Sequence, residues 1–275
     1  MPEIQTARDD VRQLVGVHLW HYPLSNCSQR VRLALAEKGQ DWHSHPVDLS
    51  RNEQIDPQFM ALNPKGLVPV LVHDGRTFVE SNDIISYIGD TFRGPRLTSE
   101  DPLDQQRTEE LMAAAGEVQD ALKLLSFEFL FKLGAIKSRE ELDEFAQAGA
   151  DPKLVEFHRE LAEGRGFSRA RIVEAVKTME TKLALLETRL GRTPWLSGKS
   201  FGLADISWLV NIHRLSLMSY SFKQYPRLAG WLSKCRTRPS SRTAIDSFEK
   251  PGVRRIFRIY SLIRRLRGDG VNSFR

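Results

Sequence analysis

At 275 residues, of which 41% are hydrophobic and 27% charged, the chain can bury the core of one large domain or two small ones. With 18 glycines, 13 prolines and no apolar run of the roughly 18 residues a membrane span needs, collagenous, disordered, coiled-coil and membrane-spanning classes are excluded. The net charge of +5 is local: residues 251–275 hold seven arginines against one aspartate, which leaves −1 on the first 250 residues, so no basic face for nucleic acid is expected over the fold. Two cysteines, Cys27 and Cys235, are too few for a disulfide framework or a thiolate zinc site and fit a reducing compartment. Residues 1–16 mix Glu3, Arg8, Asp9, Asp10 and Arg12 without an apolar core. They read as a polar extension and not as a secretory signal, which places the protein in the cytoplasm.

Val17-His18-Leu19-Trp20-His21-Tyr22 is rich in strand formers and is closed by Pro23 and the stretch Ser25-Asn26-Cys27-Ser28, the pattern of a strand and a turn. From Ser28 the spacing is helical, with Val31, Ala34 and Leu35 on one face, Arg30, Glu37 and Lys38 elsewhere, and Gly39 as the stop. Residues 41–49 alternate as a second strand, and 52–60 suggest a short irregular helix. Leu67–Val72 is an apolar run containing Pro69; His73-Asp74-Gly75-Arg76 turns it into Thr77-Phe78-Val79, and a second helix starts at Ser81. This order predicts a small open α/β sheet over 17–93, then a linker at 94–104. An all-helical region follows over 105–250, with segments at 104–133, 138–165 (broken by Gly149 and Pro152), 168–190, 203–218 and 226–235. Residues 251–275 form a basic amphipathic tail.

Several motifs fail on their spacing. Gly198-Lys199-Ser200 lacks the glycine five residues earlier that a phosphate loop needs, and Gly164 and Gly166 lack the third glycine of a dinucleotide fingerprint. His43 and His45 share one side of a strand without a third ligand, so no metal is expected. Pro69 carries more information. Inside a strand-like run it marks an edge, a bulge or a cis bond, and a cis bond would turn the Val68 N–H and C=O toward an extended peptide-like ligand.

Ser81 reads as the N-cap of the helix through Ile84, Ile85 and Ile88. The free N–H groups of that helix start suit a carboxylate, and Glu80 beside it suits an ammonium, so together they match an amino-acid head group. Ser25-Asn26-Cys27-Ser28 lies at the start of the first helix, where hydroxyls and the helix end stabilise a thiolate; plain turn chemistry is the alternative.

In sum these elements resemble the glutathione transferase superfamily over roughly residues 17–240. The resemblance rests on Ser25-Asn26-Cys27-Ser28-Gln29-Arg30-Val31-Arg32, on Asn63-Pro64-Lys65-Gly66-Leu67-Val68-Pro69-Val70-Leu71, on Glu80-Ser81 with Ile84-Ile85-Ser86-Tyr87-Ile88, and on Pro194-Trp195-Leu196-Ser197-Gly198 running into Phe201-Gly202-Leu203-Ala204-Asp205. It implies an α/β thioredoxin-like N-terminal domain followed by an all-α helical domain, a homodimer, and glutathione as co-substrate. It also implies a cis bond before Pro69, with Val68 on the cysteinyl backbone of glutathione, Glu80 and Ser81 on its γ-glutamyl end, and Lys65 in the binding set. Within the superfamily the chain is similar to tetrachlorohydroquinone reductive dehalogenases, β-aryl etherases and ganglioside-induced differentiation-associated transferase-like proteins. One departure stands out: the helical capping motif usually opens with Ser or Thr, and here that position is Gly202. Asp205 still accepts from the Gly202 N–H, so half the capping box survives and a less stable helix start is expected.

The function expected from the resemblance is a glutathione-dependent transferase that activates glutathione as a thiolate against a small, hydrophobic or aromatic electrophile, by conjugation, ether cleavage or reductive dehalogenation, in detoxification or aromatic compound metabolism. Ser25 is assigned to thiolate stabilisation. Cys27 either attacks a glutathionylated intermediate, as the matching cysteine does in the dehalogenases, or packs as a small residue under the first helical turn. Met112, Ala115, Val118 and Leu122 are candidates to line the electrophile cleft, though the sequence does not separate cleft from core. The alternative is a non-catalytic adaptor of the same fold that binds a membrane surface or a protein partner through residues 253–267, where arginines interleave with Ile256, Phe257, Ile259, Leu262, Ile263 and Leu266. No nucleic-acid partner is expected.

Overall fold

Val17–His21 is buried along its whole length and forms the strand (β2) on which the first half is built. In the computed structural model, which describes residues 3–275, β2 pairs in parallel with β3 (His43–Pro46) and antiparallel with β4 (Val70–His73). β4 turns back through Asp74 (φ 48°) and Gly75 (φ 77°) into β5 (Arg76–Phe78), the two successive left-handed residues of a tight hairpin. The leader that reads as a polar extension carries structure of its own. Its strand β1 (Glu3–Ile4) pairs antiparallel with β5 and completes a five-stranded mixed sheet of order β1-β5-β4-β2-β3. The short helix α1 (Asp9–Arg12) follows and buries Val11. The outer side of β5 is thereby covered.

Alternation along the strands sorts the side chains to two faces. Leu19, Leu71 and Phe78 pack against Val31, Ala34, Leu35, Ile84 and Ile88 of the helices α2 (Asn26–Lys38) and α4 (Ser81–Thr91). Trp20, Val70 and Val72 face the other way, onto Val11 and onto Phe59 of α3 (Pro57–Leu62). Helix α2 begins two residues earlier than its spacing predicts, because Ser25 Oγ accepts from the Ser28 N–H at 3.2 Å and caps it. The strand predicted over 41–49 shortens to β3. The predicted helix over 52–60 is two 3-10 turns, Leu49–Arg51 and Glu53–Ile55, followed by α3. Asn52 at φ 63° breaks the first join, and Asp56, extended before Pro57, breaks the second.

The second half is helical: α5 (Pro102–Glu117), α6 (Gln119–Ser126), a π-helical turn Phe127–Phe131, α7 (Lys132–Ala135), α8 (Arg139–Gln147), α9 (Pro152–Glu163), α10 (Arg169–Leu190), α11 (Leu203–Leu217), α12 (Pro226–Arg236), α13 (Pro239–Ser241) and α14 (Pro251–Leu266). Apolar α11 is buried over nearly its whole length and packs against α5, α2 and α12. Met112, Ala115, Val118 and Leu122, for which the sequence left cleft or core open, are buried in the common core. They fill the space between α5 and α6 on one side and α10 and α11 on the other, which decides for core over cleft. No helix among the described residues is long and apolar enough to cross a membrane.

The departure at Gly202 is compensated. Asp205 accepts from the N–H groups of Leu196 (2.9 Å), Ser197 (3.0 Å) and Gly202 (3.1 Å) and from Trp231 Nε1 (2.7 Å). The hydroxyl missing at position 202 is supplied by Ser197, whose Oγ accepts from the Ala204 N–H at 3.0 Å. A Cβ at position 202 would lie 2.3 Å from the Leu97 carbonyl oxygen. Glycine is required there by the close approach of the linker, and the helix start is capped from a neighbouring turn instead of being weakened.

Candidate active site

Because β2 and β4 run antiparallel with Trp20 opposite Val70, the chain leaving β2 and the chain entering β4 meet at one end of the sheet. β5 runs antiparallel to β4 and delivers Glu80 and Ser81 to that same end. The topology therefore brings together Ser25, Cys27, Lys65, Val68, Pro69, Glu80 and Ser81, every residue singled out for the site.

Ser25 is half-buried at the cap of α2. Its oxygen accepts the Ser28 N–H, so its proton remains available to a further acceptor. Cys27 is a free, half-buried thiol in the first turn of α2, at the positive end of the helix dipole. Val68 and Pro69 are joined by a cis peptide bond, and the ladder between β2 and β4 stops at Val70. The loop before it is held by Asn63, whose Nδ2 donates to the Leu67 carbonyl at 2.8 Å and whose Oδ1 accepts from the Lys65 N–H at 3.2 Å.

Ser81 differs from its sequence reading. Glu80, at φ 64°, is the residue before the helix, and its carbonyl accepts the Ile84 N–H at 2.9 Å. Ser81 is therefore the first helical residue and not the N-cap; its Oγ is taken up by Arg30, whose Nη1 donates to it at 2.7 Å. The Glu80 carboxylate pairs with Lys65 Nζ at 2.7 Å, both side chains about half exposed.

Three buried arginines lie beneath these loops. Arg30 reaches from α2 to the Ser207 carbonyl and Asn211 Oδ1 of α11. Arg32 donates to the carbonyls of Tyr22 (3.3 Å), Pro23 (2.9 Å) and Ala244 (2.9 Å). Arg214 of α11 donates to the Leu24 carbonyl and, at 2.9 Å, to Asn26 Oδ1, and it lies over the ring of Phe131 in the π-helical turn. Burial lowers the pKa of Arg32 to about 9 and of Arg214 to about 10, so both stay charged at neutral pH. Glu249 is the buried carboxylate nearby, accepting from Gln29 Nε2 at 2.8 Å and lying 2.9 Å from His213 Nε2. Burial alone would raise its pKa; His213 and Arg214 outweigh it and hold the group at about 2. The floor of the site is thus positive, which favours a thiolate and carboxylates above it.

Sequence reasoning placed Arg30 off the buried face of its helix; it is 2% exposed. Its position in the Gln29-Arg30-Val31-Arg32 run, one turn after the cap, was the available signal. Arg214 and Glu249 carried none, since their role depends on packing across about 190 and 220 residues. His43 and His45 do share a face: His45 Nε2 lies 2.9 Å from His18 Nδ1 and His43 stacks on the same ring at 4.6 Å. No group of His, Cys, Asp and Glu among the described residues is arranged to hold a metal ion.

Comparison with known proteins places the two halves separately. Residues 19–96 match the family model for the glutathione S-transferase N-terminal domain, and residues 140–233 that for the glutathione S-transferase C-terminal domain. The chain is 28% identical over 229 residues to maleylacetoacetate isomerase of Pseudomonas aeruginosa, covering 82% of this chain and 94% of that one. It is 28% identical over 252 residues to the Arabidopsis thaliana glutathione S-transferase TCHQD, covering 84% and 90%. Identity to the tetrachloro-p-hydroquinone reductive dehalogenase of Sphingobium chlorophenolicum is 23% over 237 residues, covering 83% and 95%. Among solved structures, a β-etherase from a Sphingobium strain superposes with a TM-score of 0.77 at 25% identity, over 85% of this chain and all of that one.

Proposed function

The chain belongs to the glutathione S-transferase superfamily, and from that premise we propose that it activates glutathione at the Ser25–Ser28 start of α2 and delivers the thiolate to a small aromatic electrophile beside Phe131. Glutathione-dependent chemistry is the property of the family; the assignment of residues and substrate class is our reading. The observation that carries it is the convergence of Ser25, Val68, Glu80 and Ser81 on one sheet end over a positive floor. In this reading the Ser25 O–H donates to the sulfur. The Val68 backbone pairs with the cysteinyl unit, and Ser81 with the free N–H groups of α4 takes the γ-glutamyl carboxylate. Glu80 exchanges Lys65 for the ligand's ammonium. An aromatic electrophile is favoured because Phe131 is half-buried and Arg214 links it to Leu24 and Asn26, on either side of Ser25. Two unpaired cysteines suit a cytoplasmic setting, and a homodimer is the assembly we assign.

The test is turnover of purified protein with glutathione against a halogenated hydroquinone, a β-aryl ether and a chloronitrobenzene. Glutathione-dependent loss of at least one is expected. Retention on immobilised glutathione with no turnover of any would favour the second reading below.

That second reading, membrane-surface docking by the tail, is favoured by one observation. Helix α14 is docked on its own protein through Phe257, through Ser261 and through Arg264, whose Nη1 donates to Glu128 Oε1 at 2.8 Å, yet Ile256, Ile259, Leu262, Ile263 and Leu266 are exposed beside exposed Arg255, Arg258, Arg265 and Arg267. An apolar stripe edged by arginines fits an anionic lipid surface. Binding to phosphatidylserine-containing vesicles and not to phosphatidylcholine vesicles is expected. Serine at Ile256, Ile259, Ile263 and Leu266 should abolish it while leaving glutathione affinity unchanged. Equal binding by that variant would exclude the tail as the contact.

A further inference from the structure

Of the three buried arginines under the site, Arg30 and Arg32 use every guanidinium nitrogen within the protein. Arg30 bonds to Ser81 Oγ, the Ser207 carbonyl and Asn211 Oδ1, and Arg32 to His21 Nδ1 and the carbonyls of Tyr22, Pro23 and Ala244. Arg214, 2% exposed, uses only two. Its Nε donates to Asn26 Oδ1 at 2.9 Å and its Nη2 to the Leu24 carbonyl, whereas its buried Nη1 has no partner among the described residues. Arg189 Nη1 is unpartnered too, but that guanidinium is paired with Asp104 at 2.7 Å and sits at the C-terminal end of α10.

A guanidinium has donors and no acceptor, so Nη1 carries hydrogens that nothing receives, and a buried donor in that state is costly until an acceptor meets it. Burial opposes the charge of Arg214 and Glu249 supports it, yet the Glu249 carboxylate is bonded to Gln29, His213 and Arg254 and not to Nη1. Two features place the missing acceptor. Leu24 and Asn26 flank Ser25, so the guanidinium lies behind the residue assigned to the sulfur. It also lies 5.1 Å from the ring of Phe131, which meets Phe127 edge-on at 5.8 Å, both rings half-buried. These two rings open and close the π-helical turn Phe127–Phe131, a distortion that recurs at functional sites.

Resting on the reading of an aromatic electrophile beside Phe131, we propose that Arg214 determines specificity for it: Nη1 donates to an anionic oxygen carried by the electrophile's own ring, a phenolate or a carboxylate. Phe131 meets the ring, Ser25 the sulfur and Nη1 the oxyanion, so a neutral aromatic of the same shape leaves the donor unpaired and binds less well. One free nitrogen cannot make the two parallel bonds of a guanidinium–carboxylate fork, which favours the single oxygen of a phenolate.

The experiment measures, by calorimetry on the full chain, the binding of glutathione conjugates that differ only on the ring. S-(4-hydroxy-3-nitrophenyl)glutathione, in its ionised form, is compared with its methoxy counterpart, and S-(4-carboxyphenyl)glutathione with its carboxamide. The phenolate should bind about tenfold to a hundredfold more tightly than its ether, the range of a charge-assisted hydrogen bond, and the carboxylate pair should differ by less. A larger factor in the carboxylate pair keeps the anion site and assigns the carboxylate as its ligand; equal affinities within both pairs overturn the proposal. Arg214→Met should cut each factor to about threefold or less. Loosening of the turn around Ser25 would weaken both members of a pair alike and leave the factor unchanged. The fold of the variant is checked by circular dichroism; where Arg214→Met does not fold, Arg214→Lys carries the test, because an ammonium that reaches Leu24 and Asn26 has no second nitrogen for the ring and should lower the factor at least about threefold. A folded variant that keeps the full factor overturns the proposal and leaves Arg214 as a brace for the start of α2. Wild-type protein that binds none of the conjugates fails the glutathione reading itself, a distinct result.

Discussion

Alanine at Ser25 will lower kcat with glutathione about a hundredfold, the effect expected from losing one donor aimed at a developing anion. The loss is chemical and not structural. Ser25 also caps α2, but an N-cap is worth about 1 kcal/mol, which in a protein of 275 residues moves Tm by about 2–4 °C. Cys27→Ser then separates reaction types. In a conjugating transferase the glutathione sulfur attacks the electrophile and the product leaves, so Cys27→Ser will change turnover by less than about threefold, since a small half-buried residue is replaced by one nearly its size.

In a reductive dehalogenase glutathione first displaces halide from the ring. The Cys27 thiolate next attacks the glutathionyl sulfur, the ring carbon takes a proton as the C–S bond breaks, and a second glutathione attacks the mixed disulfide to release oxidised glutathione. Cys27→Ser would stop that sequence after the first step and accumulate the glutathionyl conjugate, visible by mass spectrometry. Near-wild-type rates in both variants would remove the Ser25–Ser28 segment from the mechanism.

Legibility in the sequence followed the range over which each feature is decided. Helices α10 and α11 were readable because their apolar period and caps are local: Ser168 starts one and Asp205 closes on Gly202 at the start of the other. The hairpin was readable from Asp74-Gly75. What failed was decided at a distance. The leader strand β1 is two residues long and exists only because β5 offers it an edge. Ser197 capping Ala204 could not be inferred from a glycine at position 202. Met112 and Val118 are apolar whether they line a cleft or a core, and only the position of α11 decides between them. At the site the motif residues were legible one by one, whereas the burial of Arg30, Arg32 and Arg214 under them was not. A charged residue on a helix reads as solvated until another element is seen to cover it.

Ser81→Ala should display the opposite kinetic pattern from Ser25→Ala. Ser81 binds the far end of the ligand in our reading, away from the sulfur, so KM and Kd for glutathione should rise about ten- to a hundredfold while kcat at saturation stays within about twofold. Its structural cost has a different origin from a lost cap, because Glu80 and not Ser81 holds the cap position. Alanine leaves Arg30 Nη1 without the acceptor it has at 2.7 Å. An orphaned buried donor costs about 1–3 kcal/mol; three remaining bonds to α11 hold the guanidinium in place, which keeps the cost toward the lower end. Ser81→Thr restores an oxygen at the same position and should recover most of the affinity, whereas a variant that had merely loosened the start of α4 would not be rescued by a β-branched residue. Calorimetry showing wild-type glutathione affinity in Ser81→Ala would place the γ-glutamyl end somewhere other than the start of α4, and would leave Arg30 as a brace between α2 and α11.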